Sequence, residues 1–227
     1  MRRTDTDLKA YTSAGNLSKQ AVTYHLLKEA LIHQDFKPGT VLSERELCSH
    51  FGVSRPPVHN AVVQLVADGM LVMEHEKRIL VPHATPDDLH EIYEMLEYLQ
   101  VASLRSQRIF STDSLRDIQA TLDHMEKSIN DPSLTFFDRY SLDSQFHSLI
   151  MQGVDNNRLK ESFEKYSNQY ALYSSVMFRP GNWREPELHT HRGIFHALND
   201  GMLSDFTKRI HDHYATAFSN YLSWTSG

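Results

Sequence analysis

Apolar residues in the first third of the chain come in bursts spaced three and four apart, separated by residues that favour turns. Val22, Leu26, Leu27, Ala30 and Leu31 make a helical stripe between Leu17 and about Gln34, closed by the turn chemistry of Phe36-Lys37-Pro38-Gly39. Ser43 and Glu46 then have the S-x-x-E spacing of a capping box, which predicts a short helix that starts at Glu44, carries Leu47 inward and ends at Gly52. In the next burst Val58, Val62, Leu65 and Val66 share one helical face, with Ser54 as the cap and Pro56 and Pro57 in the first turn, where a missing N–H costs little. Arg55 and His59 fall on the other face. Asp68-Gly69 stops this helix, and Leu71-Val72-Met73 and Ile79-Leu80-Val81 flank the charged run EHEKR as the arms of a β-hairpin. Together these elements predict a winged helix-turn-helix over residues 17–82. The polar, irregular residues 1–16 before it are expected to form a mobile arm.

From Thr85 onward the pattern is helical throughout. Thr85-Pro86-Asp87-Asp88 supplies a cap, a proline at the first helical position and acids in the first turn. Leu89, Ile92, Tyr93, Leu96 and Leu99 continue that helix, and others are predicted near 113–130, 134–153, 156–179, 185–200 and 203–224. Breaks at Asp131-Pro132, Asp155-Asn156-Asn157, Pro180-Gly181 and Asn199-Asp200-Gly201 separate them. The fold class is therefore mainly α: the winged module, then an all-α bundle of about six helices over residues 83–227.

A chain of 227 residues accommodates two such domains. No run of 18 apolar residues is present and MRRTDTDLKA lacks the apolar core of a signal peptide, so the expected place is the cytoplasm, with no membrane partner. The single cysteine, Cys48, excludes an internal disulfide or a Cys-rich zinc module and reads as a small buried hydrophobe. The formal charge of −6 is unevenly spread: residues 1–82 hold 10 Lys and Arg against 9 Asp and Glu, a net +1, and the remainder hold 13 against 20, a net −7. The acid lies away from the winged module, whose grip on phosphates must rest on a few placed cations and on two copies acting together.

In a helix-turn-helix the start of the second helix enters the major groove, where an arginine can donate two hydrogen bonds to guanine O6 and N7. That assigns base reading to Arg55, with Ser54, Pro57 and His59 on the same end and Arg45 one turn into the preceding helix. His75, Lys77 and Arg78 at the wing would meet the backbone or the minor groove. The stretch PGTVLSERELCSHFGVSRPPVHNAVVQLVADGML resembles the DNA-binding signature of the GntR family of bacterial transcription regulators, in which PG-x-x-L-SERELA precedes GVSR-x-P-V-R-x-A-L, and the likeness runs from about Leu17 to Val81. The resemblance implies double-stranded DNA as a partner. His59 departs from it, since the family usually has arginine there, which implies a different operator or weaker binding.

Fourteen histidines are present, and three of them join one acid in a distinct constellation. Asp143 and His147 are four residues apart and leave one helix face a turn apart. His191 lies beside the apolar Ile194, Phe195 and Leu198, and His213 lies on the last predicted helix. Three imidazoles and a carboxylate suit a divalent cation such as zinc, nickel or manganese. The same spacing is equally met by core histidines satisfied through hydrogen bonds.

The stretch from Pro86 onward resembles the FCD effector domain of the FadR branch of GntR regulators. Its markers are Asp143 to His147, then Asn156, then His191 to Gly201, then His213. The resemblance implies that Asp143, His147, His191 and His213 hold a metal, zinc first, and that a small organic acid binds beside it. Asn156, His196 and Tyr93 are the candidate effector contacts, with Asn156 open also to a capping role. His189, His196 and His211 flank the ligands as outer donors, substitutes or ordinary histidines. Phe163, Tyr166, Tyr170, Tyr173 and Phe178 are read as core or cavity wall. Where the family has E-x-R-x-x-L-E, this chain has Leu96 in the arginine's place and Gln100 in the second acid's. A leucine cannot form a forked pair with a carboxylate, which points to a less acidic effector or one held by the metal alone.

The expected function is a ligand-responsive transcription regulator, a repressor acting as a homodimer on a palindrome. A metal-dependent hydrolase is the rival reading. No H-E-x-x-H and no motif-placed general base supports it. A purely structural metal is the third.

Overall fold

The computed structural model describes residues 18–75, 78–104, 110–129, 131, 133–134, 136–177 and 185–225, so the predicted arm, Lys77 and Phe178 lie outside the described residues. The chain divides into two units between Ala84 and Thr85.

The first unit contains α1 (Lys19–Ile32), β1 (Val41–Leu42), α2 (Glu44–Phe51), α3 (Arg55–Ala67), β2 (Val72–Met73) and β3 (Ile79–Leu80). Val22, Leu27, Ala30 and Leu31 of α1, Leu47 of α2, and Val58, Ala61, Val62 and Leu65 of α3 are wholly buried and make its core. Val66, predicted on this face, is half-buried at its margin. The capping box forms: the Ser43 hydroxyl accepts from the Glu46 amide at 3.3 Å, and the Glu46 carboxylate accepts from the Ser43 amide at 2.7 Å. Gly52 closes α2 at φ 67°, a conformation open to glycine at no steric cost. Cys48 is half-buried rather than buried, because Leu47 and Phe51 take the inward face of this two-turn helix.

Ser54 occupies the cap position of α3, but its side chain makes no capping hydrogen bond. The second and third helical residues are Pro56 and Pro57, which have no N–H to donate. The sheet order is β1-β3-β2, antiparallel throughout, with Val41 opposite Leu80 on one side and Val72 opposite Leu80 on the other. The predicted hairpin is β2 and β3. β1 was not expected, because Val41-Leu42 has no apolar partner run nearby in sequence and pairs instead with the distant β3.

The second unit is α4 (Pro86–Ser103), α5 (Thr112–Ile129), α6 (Phe136–Gln152), α7 (Asn157–Met177), α8 (Glu185–Asn199) and α9 (Leu203–Thr225). These helices close into a ring by contact in the order α4, α7, α6, α5, α8, α9 and back to α4. Ile118, Met125, Phe146, Ile150, Ile194, Phe206 and Ile210 are wholly buried inside it, with Phe163 almost so and Tyr166, Tyr170 and Tyr173 packed against them in part. No helix among the described residues is long and apolar enough to cross a membrane. A second capping box opens α4: the Asp88 amide donates to the Thr85 hydroxyl at 3.1 Å, and the Thr85 amide donates to the Asp88 carboxylate at 2.8 Å. Thr85→Ala is expected to lower unfolding stability by about 1 kcal/mol. The check is a lower urea midpoint at unchanged slope; an unchanged midpoint would show that this cap contributes nothing.

Candidate DNA interface and metal centre

The first turns of α2 and α3 lie side by side and share one carboxylate. Glu44, at the first helical position of α2, accepts from Arg55 Nε at 2.6 Å and contacts His59 Nδ1 at 2.7 Å. The Glu44 side chain is 12% exposed, whereas Arg55 and His59 are 69% and 56% exposed. The His59 hydrogen bond and the Arg55 guanidinium hold the Glu44 carboxyl below its ordinary range, against the opposing effect of burial. A half-buried anion thus steers two exposed side chains of α3 by their near ends. With Nε engaged, the two terminal nitrogens of Arg55 remain at the tip, the fork needed for a guanine edge. Arg45, Ser54 and His75 are exposed, and Pro57 is half-buried. Glu44 had no role in the sequence reading. Its signal was an acid at the start of one helix facing basic residues at the start of the next.

Inside the ring, Asp143 and His147 from α6, His191 from α8 and His213 from α9 each offer a ligand atom, and all four atoms lie within 4.8 Å of one another. His191 Nε2 is 2.9 Å from Asp143 Oδ1, His147 Nε2 is 3.1 Å from His213 Nε2, and His147 Nε2 is 3.9 Å from Asp143 Oδ1. His147 and His191 are buried. Burial opposes the charge of Asp143, but the hydrogen bond from His191 and the surrounding imidazoles outweigh it and keep the carboxyl ionised well below its usual range. Burial pushes His147 down to about 4 against the pull of Asp143. Burial together with the neighbouring imidazoles keeps His213 well below its ordinary value. At neutral pH Asp143 is therefore ionised and His147 and His213 are neutral, the states that bind metal.

The spacing also fits. Ligand atoms about 2.0–2.2 Å from one ion stand about 3 Å apart at right angles and about 3.4 Å apart at tetrahedral angles, and the separations of 2.9, 3.1 and 3.9 Å here bracket both. His147 Nδ1 meets Gln100 Oε1 at 3.0 Å and His213 Nδ1 meets Thr190 Oγ1 at 3.4 Å, so each outer nitrogen has an oxygen that can take its proton. With both protons on the outside, two Nε2 lone pairs face each other, an arrangement that a cation between them stabilises.

The predicted effector residues are placed less uniformly. Tyr93 is buried, 3.4 Å from the Tyr170 hydroxyl, with its ring 6.1 Å from that of Tyr214. Tyr214 stands against His147 at 5.7 Å between ring centroids, and its hydroxyl donates to Gln100 Oε1 at 3.1 Å. Burial, and then the negative charge of Asp143, keep Tyr140 and Tyr214 protonated, and Tyr170 is raised by burial, Tyr93 and Asp143. Leu96 is buried and supplies no cation. Asn156 caps α7, accepting from the Leu159 amide at 3.2 Å. His196 is exposed: five residues on from His191, it is turned about 140° round α8. His189 and His211 are exposed as well, and His211 pairs with Glu97 at 2.9 Å.

Residues 19–81 match the family described as "Bacterial regulatory proteins, gntR family", and residues 88–216 match the FCD domain. The chain belongs to the GntR family and carries an FCD domain. It is a transcription regulator and not an enzyme. It is 29% identical over 176 residues to the HTH-type transcriptional regulator YdhC of Bacillus subtilis (strain 168), covering 76% of this chain and 77% of YdhC. It is 25% identical over 176 residues to the HTH-type transcriptional repressor RspR of Escherichia coli (strain K12), covering 77% and 76%. The crystal structure of a putative transcriptional regulator GntR from Rhodococcus sp. RHA1 matches the fold with a TM-score of 0.74 at 23% identity, over 91% of this regulator and 99% of that chain.

Proposed function

We propose that this regulator reads a palindromic operator as a homodimer through Arg55, and that a small carboxylate-bearing metabolite in the metal-containing helical domain releases it, so that it acts as a repressor in the cytoplasm. The observation that carries the sensor half is the gathering of Asp143, His147, His191 and His213 within 4.8 Å inside the FCD-matching unit. Three nitrogens and one oxygen favour zinc, with nickel and manganese as the next candidates. The ion supplies a positive centre for the effector's carboxylate. Tyr170, whose hydroxyl accepts from that of Tyr93 at 3.4 Å, offers a neutral phenol to the rest of the effector. RspR, a relative named as a repressor, supports the sign of the response.

The homodimer follows from arithmetic. One helix with two or three base contacts discriminates weakly, and a two-fold pair multiplies the discrimination. An effector that binds better to one arrangement of the two reading heads shifts the population toward it, and the operator's fixed half-site spacing selects the other. Selection of bound fragments from genomic DNA should return a two-fold symmetric consensus, and an asymmetric one defeats the homodimeric reading. Thermal melting with candidate carboxylates should show stabilisation that chelation removes. Stabilisation that persists after chelation would leave the metal a structural role only.

A further inference from the structure

Gln100 lies wholly buried in α4 on the apolar stripe that carries Ile92, Tyr93 and Leu96, an unusual place for an amide unless it has work there. Its Nε2 donates to the backbone carbonyl of His147 at 3.4 Å. That contact fixes which way the amide points, because the carbonyl can only accept. Oε1 is thereby turned to His147 Nδ1 at 3.0 Å and to the Tyr214 hydroxyl at 3.1 Å, using both of its lone pairs. With an acceptor facing it, His147 Nδ1 must carry the ring proton, and Nε2 is left as a bare lone pair aimed at Asp143, His191 and His213.

We propose that Gln100 is the positioning residue of the metal centre: it sets the tautomer and ring orientation of His147, and through Tyr214 it ties α4 and α9 to the ligand on α6. The inference rests on the reading of the four residues as a metal site. A carboxylate behind the imidazole would raise its basicity, whereas this neutral amide orients it without adding charge. The centre therefore keeps the single formal charge of Asp143 rather than gaining a second.

The test uses the full-length protein stripped of metal and titrated with zinc against a chromophoric chelator, for the wild type, Gln100→Met and Gln100→Glu. Gln100→Met preserves volume and removes the acceptor, and zinc affinity should fall roughly 10- to 100-fold. Gln100→Glu restores the acceptor with a charge, and affinity should equal or exceed that of the wild type. In the metal-free wild type, nitrogen NMR of the histidine rings should show His147 protonated at Nδ1. Equal zinc affinity for wild type and Gln100→Met overturns the proposal. So does protonation of wild-type His147 at Nε2, a result that stands even if Gln100→Met fails to fold. Failure of the wild type to bind zinc, nickel or manganese sinks the metal reading itself, and the ring-proton measurement then judges the role of Gln100 separately.

Discussion

Arg55→Ala should abolish specific operator binding while leaving the far-ultraviolet circular dichroism and the oligomeric state unchanged. A forked arginine–guanine contact contributes about 1–3 kcal/mol of discrimination, so two half-sites in a dimer lose about 2–6 kcal/mol, roughly 30-fold or more in affinity. The fold should not notice: the side chain is 69% exposed, and the buried face of α3 is Val58, Ala61, Val62 and Leu65. Glu44→Gln provides the graded companion. An amide has one oxygen to replace the two that hold Arg55 and His59, so specific binding should weaken by less than in Arg55→Ala, and more for the operator than for unrelated DNA. Mobility shifts at two salt concentrations with operator and scrambled duplexes measure both. An Arg55→Ala protein that still shifts its operator at physiological salt removes Arg55 from the base-reading role.

Asp143→Asn should empty the metal centre. The change keeps the size of the side chain and removes the only carboxylate among the four donors, and His191 loses its anionic partner at 2.9 Å. Metal content by elemental analysis should drop from about one equivalent per chain to a trace, a loss beyond the roughly 10- to 100-fold typical of outer-sphere changes. Operator binding without effector should persist, and the response to candidate carboxylates should vanish. Full metal occupancy in Asp143→Asn would show that the cluster is not the binding site.

Much of this was written in the sequence because it depends on short-range chemistry. Ser43 with Glu46, Gly52, and Thr85 with Asp88 act within four residues, and the apolar stripes of α1, α3 and α4 need only the helical period to be seen. The clustering of Asp143, His147, His191 and His213 was legible for a different reason: Asp143 and His147 are a local pair, His191 and His213 stood out beside apolar helical positions, and the family likeness joined them to that pair. What escaped were contacts set by tertiary packing alone. Nothing near Gln100 in the sequence announces His147, 47 residues on, or Tyr214, 114 residues on. Glu44 meets Arg55 and His59 only because the turn at Gly52 folds α2 back beside α3. The cap expected of Ser54 failed on a local point that was readable, since the two residues it would serve are both prolines. His196 failed because being near a ligand in sequence does not put a residue on the ligand's face of a helix.

The same proline pair has a consequence for how the protein docks. Each pyrrolidine ring holds its backbone near φ −65°, the helical value, so the leading turn of α3 is already frozen before any duplex arrives. A helix end of this kind does not fray, and the ordering entropy that docking demands is confined to the side chains it displays. Selection can then retune the target sequence by exchanging residues at 55 and 59 while the rigid tip that presents them stays as it is.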